Sequence, residues 1–275
     1  MRLITIPFSH YCEKARWALD RAGLPYEEDA HLPLLNLPAT RRAGGKTVPV
    51  LVTDEGTFTD STDILGYVDR KAPADRKLWP TDETDRKKAQ DLEDFFDRGL
   101  GRGVRVYVYF HLLPERASLL RILGSRLSTK DRTLLRVALP VMSQLIRRGY
   151  KVTEENAERS LVKIHEAFDR ADAALAEGGK YLVGDGLTAA DITFAALAAP
   201  VLNPAGHPAY EAAMHDLPLT MQPEVKRLRA RPAGQHVLRL YQKERLTPAK
   251  ARPLALRAVS RGSPGHCPCG RRGLA

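Results

Sequence analysis

The sequence predicts a small α/β domain followed by an all-helical domain, and three observations support this division. Short β-rich segments are concentrated in about the first eighty residues of the 275-residue chain. Strand signals nearly stop after "KLWP" (77–80). From there to about residue 245, apolar residues recur at helical spacing. These patterns favour a sheet with helices packed on it, followed by a helical bundle.

The first three elements follow from short local patterns. "RLITI" (2–6) is typical of a buried strand. Residues 12–22 carry alanine and leucine at helical spacing, and Gly23 stands where a helix commonly ends. "PYEED" (25–29) predicts a second, short strand. This part of the chain is therefore expected to form a β-α-β unit.

A second group of elements follows a linker. "KTVPVLV" (46–52) predicts a strand, in which Pro49 indicates an edge position or an unusual bend. "TFT" (57–59) follows a turn and adds a strand. "DSTDILGYVDRKA" (60–72) begins with capping residues and places apolar residues on one helical face. The residues alone thus predict the order β-α-β, a linker, then β-β-α.

The helical half contains one segment that is apolar nearly all round, "GDGLTAADITFAALAAPVL" (184–202). Such a helix belongs in the middle of a helical domain. Thr188 and Asp191 match a capping box, with aspartate in place of the usual glutamate. We expect the boundary between the two halves near residues 76–84.

Composition and cysteine usage exclude several classes of protein. No apolar run reaches the roughly 18 residues that a bilayer span requires, and the N-terminus lacks a secretory signal pattern. Three cysteines do not form a disulfide framework, so we expect a cytoplasmic protein.

The basic charge is concentrated at the C-terminal end. The formal net charge is +10, and seven of the excess basic residues lie between Arg245 and Ala275, where no acidic residue occurs. Residues 246–275 are rich in proline and glycine, which predicts a disordered tail. Weak contact with nucleic acid or acidic lipid is an alternative for this tail. "HCPC" (266–269) offers three potential metal ligands without a plausible fourth, so we expect no metal site.

Four motifs, in this order and spacing, resemble the cytosolic glutathione transferases. They are "SHYCEKARWAL" (9–19), "TVPVL" (47–51), "DS" (60–61) and "LVGDGLTAADI" (182–192). The resemblance covers about residues 1–245 and is to a serine-type, divergent class.

The resemblance implies a domain organisation and an assembly. It places a thioredoxin-like, glutathione-binding domain (β-α-β-α-β-β-α) at 1–78 and an all-α domain at 85–245. The region 99–152 is an enlargement relative to typical relatives. The resemblance also implies a cytoplasmic homodimer with a role in detoxification, and glutathione as co-substrate.

The resemblance assigns five residues to glutathione binding. Pro49 would be a cis proline, and Val48 would bind the cysteinyl part of glutathione through its main chain. Asp60 and Ser61 would hold the γ-glutamyl end, through a counter-charge and a helix-start hydroxyl and amide. Lys46 is placed to pair with the glycine carboxylate.

Ser9 and Cys12 are the two candidates for handling the thiol. Ser9 aligns with the serine of serine-type classes and would donate a hydrogen bond to the glutathione sulfur, helped by the free amides at a helix start. Cys12 is the alternative, but the nucleophile position of cysteine-type relatives is occupied here by Ser9. His10 and Tyr11 could line the entrance to the electrophile pocket.

Tyr107 and Tyr109, in the enlarged region, are further candidates for the electrophile pocket or for plain core. The leucine-rich basic segment after them includes Pro140, which we expect to kink a helix. A lid, a dimer contact or contact with a membrane surface would each explain this segment, and the membrane is not favoured.

The sequence therefore predicts a glutathione transferase that adds the glutathione thiolate to a small hydrophobic electrophile. One alternative is a glutathione-dependent reductase or dehalogenase that uses Cys12. Another is a non-catalytic binding module of the same fold. We expect no specific binding of nucleic acid.

Overall fold

A computed structural model describes residues 1–124, 128–209 and 213–245. The predicted tail at 246–275, with its "HCPC" segment, lies outside the described residues. The strands are β1 (Arg2–Thr5), β2 (Glu27–Ala30), β3 (Val50–Thr53) and β4 (Gly56–Phe58). The helices are α1 (His10–Ala22), α2 (Leu37–Arg42), α3 (Ser61–Lys71), α4 (Glu83–Phe95), α5 (Gly101–Leu112), α6 (Arg116–Gly124), α7 (Thr129–Gly149), α8 (Glu154–Ala176), α9 (Ala189–Leu202), α10 (Gln222–Ala230) and α11 (Pro232–Lys243). This order confirms the predicted fold class.

The four described strands form one sheet in the order β2-β1-β3-β4. β1 pairs in parallel with β2, whereas β3 is antiparallel to both of its neighbours, β1 and β4. Leu3 lies opposite Leu51, and both are fully buried in the centre of the sheet. The third strand begins at Val50, so the prediction that it starts at residue 46 was wrong. Pro49 has no N–H to donate to a ladder, which fits a strand that starts just after it.

The helices of the α/β part begin and end at the residues that favour such ends. Ser9 caps α1, which starts two residues earlier than predicted, and Gly23 ends it at a φ of 68° in the left-handed region. Asp60 caps α3 by accepting a hydrogen bond from the Thr62 amide at 2.8 Å. α2 occupies the linker, where the resemblance, but not the residues alone, implied a helix.

α9 forms the centre of the helical half, as predicted. Thirteen of its fourteen residues are buried. The Asp191 carboxylate accepts hydrogen bonds from the Thr188 amide at 2.9 Å and hydroxyl at 2.8 Å. The same carboxylate also accepts a hydrogen bond from the Leu182 amide at 2.9 Å and lies 2.9 Å from Nε2 of His236. The predicted capping residues therefore also tie α9 to the loop before it and to α11.

α4 and α5 form one continuous helical stretch interrupted by a π-helical turn at Phe96–Leu100. The carbonyls of Asp97 and Gly101 at this turn accept hydrogen bonds from side chains of α1, described below. Widened turns of this kind are frequent at functional sites. No pattern in the sequence indicated this turn.

α7 runs through Pro140 as one helix of 21 residues. Pro140 has no N–H for the carbonyl of Arg136, four residues earlier, and the Arg116 guanidinium of α6 donates to that carbonyl at 2.9 Å instead. One face of α7 packs inward, while Val137 and Val141 on another face remain 74% and 66% exposed.

Within the described ranges, none of the helices combines the length and apolar composition that crossing a bilayer requires.

Candidate functional site

A cavity of about 470 Å³ lies where the α/β part meets the enlarged helical region. The β1–α1 loop, the start of α2 and the segment before β3 line one side of it. The facing sides of α5, α6 and α7 line the other side. Its volume is in the range typical of small-molecule sites.

Ser9 lines this cavity at the N-terminus of α1. Its amide donates to the Ile6 carbonyl at 3.0 Å, and its Oγ accepts a long hydrogen bond of 3.4 Å from the Cys12 amide. The Arg16 guanidinium donates to the Pro7 carbonyl at 2.9 Å, which fixes the loop that leads to Ser9. A hydroxyl and a helix N-terminus therefore lie together at the cavity, a combination that favours an anion.

Cys12 is fully buried and does not line the cavity. Burial raises the pKa of its thiol to about 11, although the Arg16 charge and hydrogen bonds from the Ile6 backbone and the Ser9 side chain offset part of this effect. A thiol with that pKa carries almost no thiolate at neutral pH. The structure thus gives Cys12 the surroundings of an inert core residue.

His10 and Tyr11 connect α1 to the π-helical turn. His10 Nε2 lies 2.9 Å from the Gly101 carbonyl, and because a carbonyl can only accept, Nε2 carries the proton. Burial, with help from the Arg105 charge, lowers the pKa of His10 to about 3. The Tyr11 hydroxyl donates to the Asp97 carbonyl at 3.0 Å, and a Cβ at position 101 would stand 2.3 Å from that hydroxyl oxygen.

The structure separates the two residues predicted to line the pocket entrance. His10 does line the cavity, whereas Tyr11 does not. Burial, and to a smaller extent the Asp97 charge, raises the pKa of the Tyr11 hydroxyl. The polar atoms of both side chains form hydrogen bonds that hold α1 against the helical half. Glycine at position 101 permits the close approach of the Tyr11 ring.

Of the predicted glutathione-binding residues, the structure brings Lys46 and Val48 to the cavity beside Ser9. Lys46 is exposed, and the Val48–Pro49 peptide bond is cis, as the resemblance implied. Pro49 is buried and does not line the cavity.

Asp60 and Ser61 lie outside the cavity lining, at the first turn of α3. Ser61 is buried, and Asp60 is exposed. Asp60 lies near enough to Tyr11 for its charge to raise the pKa of that hydroxyl slightly, after burial and Asp97. The start of α3 thus lies on the same side of the molecule as the N-terminal turn of α1.

The two tyrosines of α5 separate into different environments. Tyr109 lines the cavity, with its ring 5.9 Å from that of Tyr150. Tyr107 is buried in the core against His111, at 4.6 Å between ring centroids, and does not line the cavity. Burial raises the pKa of both tyrosines to about 12, so both hydroxyls are protonated at neutral pH. Of the two predicted pocket tyrosines, the structure places Tyr109 at the cavity and Tyr107 in the core.

Arg105 also lines the cavity, although the sequence pattern did not indicate a role for it. Its guanidinium carbon lies 5.2 Å from the ring centroid of Tyr11 and 4.8 Å from that of Tyr150. Its position one helical turn before Tyr109 is a weak signal that could have indicated a place on the same face.

Two buried ionic clusters hold α1 in place, and the sequence pattern did not reveal them. Glu13 is fully buried between Arg245, at 2.7 Å, and Arg16, at 3.1 Å. Burial raises the pKa of Glu13, but the charges of Arg245, His207 and Arg16 outweigh burial and hold the pKa at about 2.

The second cluster centres on Lys14, which is fully buried on α1. Its ammonium pairs with the carboxylates of Glu93 and Asp97 and donates to the Thr62 hydroxyl at 3.1 Å. This cluster joins α1 to the start of α3 and to the α4–π stretch. The position of Ser9 is therefore fixed from several sides.

A four-stranded sheet with a capped helix at the cavity, followed by a helical bundle around α9, defines a two-part protein of the glutathione-transferase type. The chain belongs to the glutathione S-transferase family. The family's N-terminal domain matches residues 3–76, and its C-terminal domain matches residues 154–223. Residues 77–153, which include α5, α6 and α7, lie between the two matches.

Solved structures with the same architecture support the fold. The beta-etherase LigF from Sphingobium sp. strain SYK-6 is 20% identical with a TM-score of 0.55, over 86% of this chain and 98% of that one. A possible glutathione S-transferase from Rhodopseudomonas palustris is 16% identical with a TM-score of 0.53, over 86% of this chain and 91% of that one. BphK, a bacterial glutathione transferase, is 19% identical with a TM-score of 0.51, over 88% of this chain and 100% of that one. At such identities the likeness shows the fold alone. A search of curated proteins found no match.

Proposed function

We propose that the protein is a glutathione transferase that conjugates the thiolate of glutathione to an apolar electrophile. The observation that carries this proposal is the position of Ser9, which caps α1 and lines the same cavity as Lys46 and Val48. In this proposal glutathione lies with its sulfur at Ser9. Its cysteinyl part lies along the Val48 main chain, and its glycine carboxylate pairs with Lys46.

The γ-glutamyl end of glutathione would extend beyond the cavity lining to Asp60 and Ser61 at the start of α3. Asp60 offers a carboxylate to the amino group, and the first turn of an 11-residue helix offers amides to the carboxylate. The Lys14 cluster, which includes Thr62 of the same turn, supports that position. This placement remains a prediction.

The energetic requirement on Ser9 is modest. A free thiol has a pKa of about 8.5, so only a few per cent is thiolate at pH 7. Lowering the pKa by about two units requires about 2.7 kcal/mol of preferential stabilisation of the anion. A hydrogen bond to a charged group contributes about 1.5–3 kcal/mol, and a helix N-terminus about 0.3–1 kcal/mol. Ser9 and the first turn of α1 together can therefore supply the shift.

The reaction would then proceed by direct attack. The thiolate sulfur forms a bond to the electrophilic carbon, the leaving group departs with its electron pair, and the thiol proton has already passed to solvent. Holding both reactants in one cavity adds the advantage of proximity. The buried, protonated thiol of Cys12 does not favour the alternative of reductase or dehalogenase chemistry through that residue.

The test compares Ser9→Ala with Cys12→Ala as the matched control. We expect native protein to bind glutathione by calorimetry and to conjugate a model aryl halide. Ser9→Ala should lower kcat/KM about 10–100-fold at pH 6.5 and much less at pH 9, where free thiolate is abundant. Cys12→Ala should stay within about threefold of native. The reverse pattern would support redox chemistry at Cys12, and glutathione binding without turnover of any electrophile would support a non-catalytic module.

A further inference from the structure

The charged groups that line the cavity are all basic. Among the described residues, the charged side chains lining it are Lys46 and Arg105, and no aspartate or glutamate lines it. His10, which also lines it, is neutral at physiological pH. A concave site lined by one sign of charge attracts ligands of the opposite sign. If Lys46 serves the glycine carboxylate of glutathione, Arg105 remains available for a second anion.

Arg105 has the geometry of an anion-binding group. Its guanidinium lies against the rings of Tyr11 and Tyr150, at 5.2 Å and 4.8 Å. No carboxylate of the described residues forms an ion pair with it, and none of its N–H groups donates a hydrogen bond within those residues. Contacts to ring faces fix a guanidinium while leaving its N–H edge, the part that binds carboxylates in a two-point arrangement, open to a ligand.

Much of the rest of the wall is aliphatic, and the rings of Phe8, Tyr109 and Tyr150 also line the cavity. Seven buried apolar side chains of α5, α6 and α7 line the cavity: Val104, Leu112, Leu119, Ile122, Leu135, Leu139 and Met142. Flexible aliphatic side chains suit an alkyl chain better than a rigid ring system, which aromatic walls would hold by stacking. These helices belong to the segment between the two family matches.

We infer that the cavity binds an aliphatic electrophile that carries a carboxylate, with Arg105 binding the carboxylate and the aliphatic wall holding the chain. This inference rests on the proposed function, because it names the class of the second substrate. The electrophilic carbon lies on the same molecule and faces Ser9.

A binding test addresses the inference without glutathione. Decanoate and 1-decanol have equal chains and differ in the anionic group. Calorimetry on native protein should show decanoate binding at least tenfold more tightly than decanol. Arg105→Gln should weaken the binding of decanoate by roughly 10–100-fold, as expected for the loss of hydrogen bonds to a charged group. The affinity for decanol should stay within about twofold of that of native protein.

Two further variants control this test. Arg102→Gln removes an exposed arginine of the same helix and should leave the affinities for decanoate and decanol unchanged. Arg105→Lys keeps the charge and should retain a preference for decanoate. Equal affinity for both ligands in native protein, or an equal loss of both in Arg105→Gln, would overturn the inference, and so would an effect of Arg102→Gln as large as that of Arg105→Gln.

A turnover test separates this inference from the proposed function. Glutathione is offered 1-iodohexane and 6-iodohexanoate, in each of which a C–S bond forms, the C–I bond breaks and iodide leaves. Arg105→Gln should lower kcat/KM for the carboxylate selectively, by roughly tenfold or more. Equal slowing of both substrates would overturn the inference and place Arg105 at the thiolate. Selective decanoate binding without any conjugation would overturn the proposed function and leave the anion site standing.

Discussion

His10 makes the stability of the fold depend on pH below about 6.5, and the upper part of this window, above about pH 5, lies above the titration range of most carboxylates. The ring is buried, Nε2 donates to the Gly101 carbonyl, and the folded pKa is about 3. In the unfolded chain a histidine titrates near 6.5. Below that pH the unfolded state binds a proton that the folded state does not bind.

The sign and size of the effect follow from this difference. The contribution of His10 is complete above pH 6.5 and is lost as the pH falls from 6.5 towards about 3. Each pH unit in that window costs about 1.4 kcal/mol. Acidification from pH 7 to pH 5 should therefore remove about 2 kcal/mol of unfolding free energy through this one residue.

The assay is urea unfolding at pH 7 and pH 5 for native protein and His10→Gln. The glutamine amide can donate to the Gly101 carbonyl but does not titrate. The decrease in the free energy of unfolding between pH 7 and pH 5 should be about 2 kcal/mol smaller in His10→Gln than in native protein. Other histidines, His111 with its lowered pKa among them, are present in both proteins and cancel. An equal loss in both proteins would refute the argument.

Two substitutions test the contacts that hold α1, each by urea unfolding. Gly101→Ala places a Cβ 2.3 Å from the Tyr11 hydroxyl oxygen and should cost about 1–3 kcal/mol, whereas Gly99→Ala, with nothing within 4 Å of its Cβ, should not destabilise the fold. Equal effects at the two glycines would contradict the close approach. Arg245→Ala leaves the Glu13 carboxylate buried and should cost about 3–5 kcal/mol. Adding Glu13→Gln should recover part of that loss, and a full additive loss would contradict the pairing.

The sequence predicted the elements that depend on local chemistry. Ser9 and Asp60 are short polar residues before amphipathic segments, and each caps a helix where that pattern indicates. Gly23 ends α1 for the same kind of local reason. Thr188 and Asp191 mark the buried helix of the second half because capping and all-round apolarity coincide there.

The features that the sequence did not predict depend on contacts between distant residues. No local sequence pattern marks the π-helical turn. Glycine is needed at position 101 because the Tyr11 hydroxyl, ninety positions earlier in the chain, approaches it closely. Pro140 was expected to kink α7, but α7 continues through it as one helix. The Arg136 carbonyl, which Pro140 leaves without a backbone donor, accepts a hydrogen bond from Arg116 of another helix, and the local sequence could not indicate that contact. Arg105 became a site residue only once the fold placed two rings against it.

Several expectations drawn from the family resemblance stay predictions. They are the homodimer, the cytoplasmic location, a role in detoxification and the domain limits at residues 78, 85 and 245. Size-exclusion chromatography with light scattering tests the first of these directly.

The pKa of the thiol in bound glutathione reports whether Ser9 stabilises the thiolate. The far-ultraviolet absorbance of the thiolate is followed from pH 5 to pH 10 in complexes of native protein and of Ser9→Ala. We expect a thiol pKa near 6.5 in the native complex and a rise of about 1–2 units in Ser9→Ala, with glutathione still bound in both. An unshifted pKa near 8.5 in the native complex, or the same lowered pKa in both proteins, would contradict this expectation.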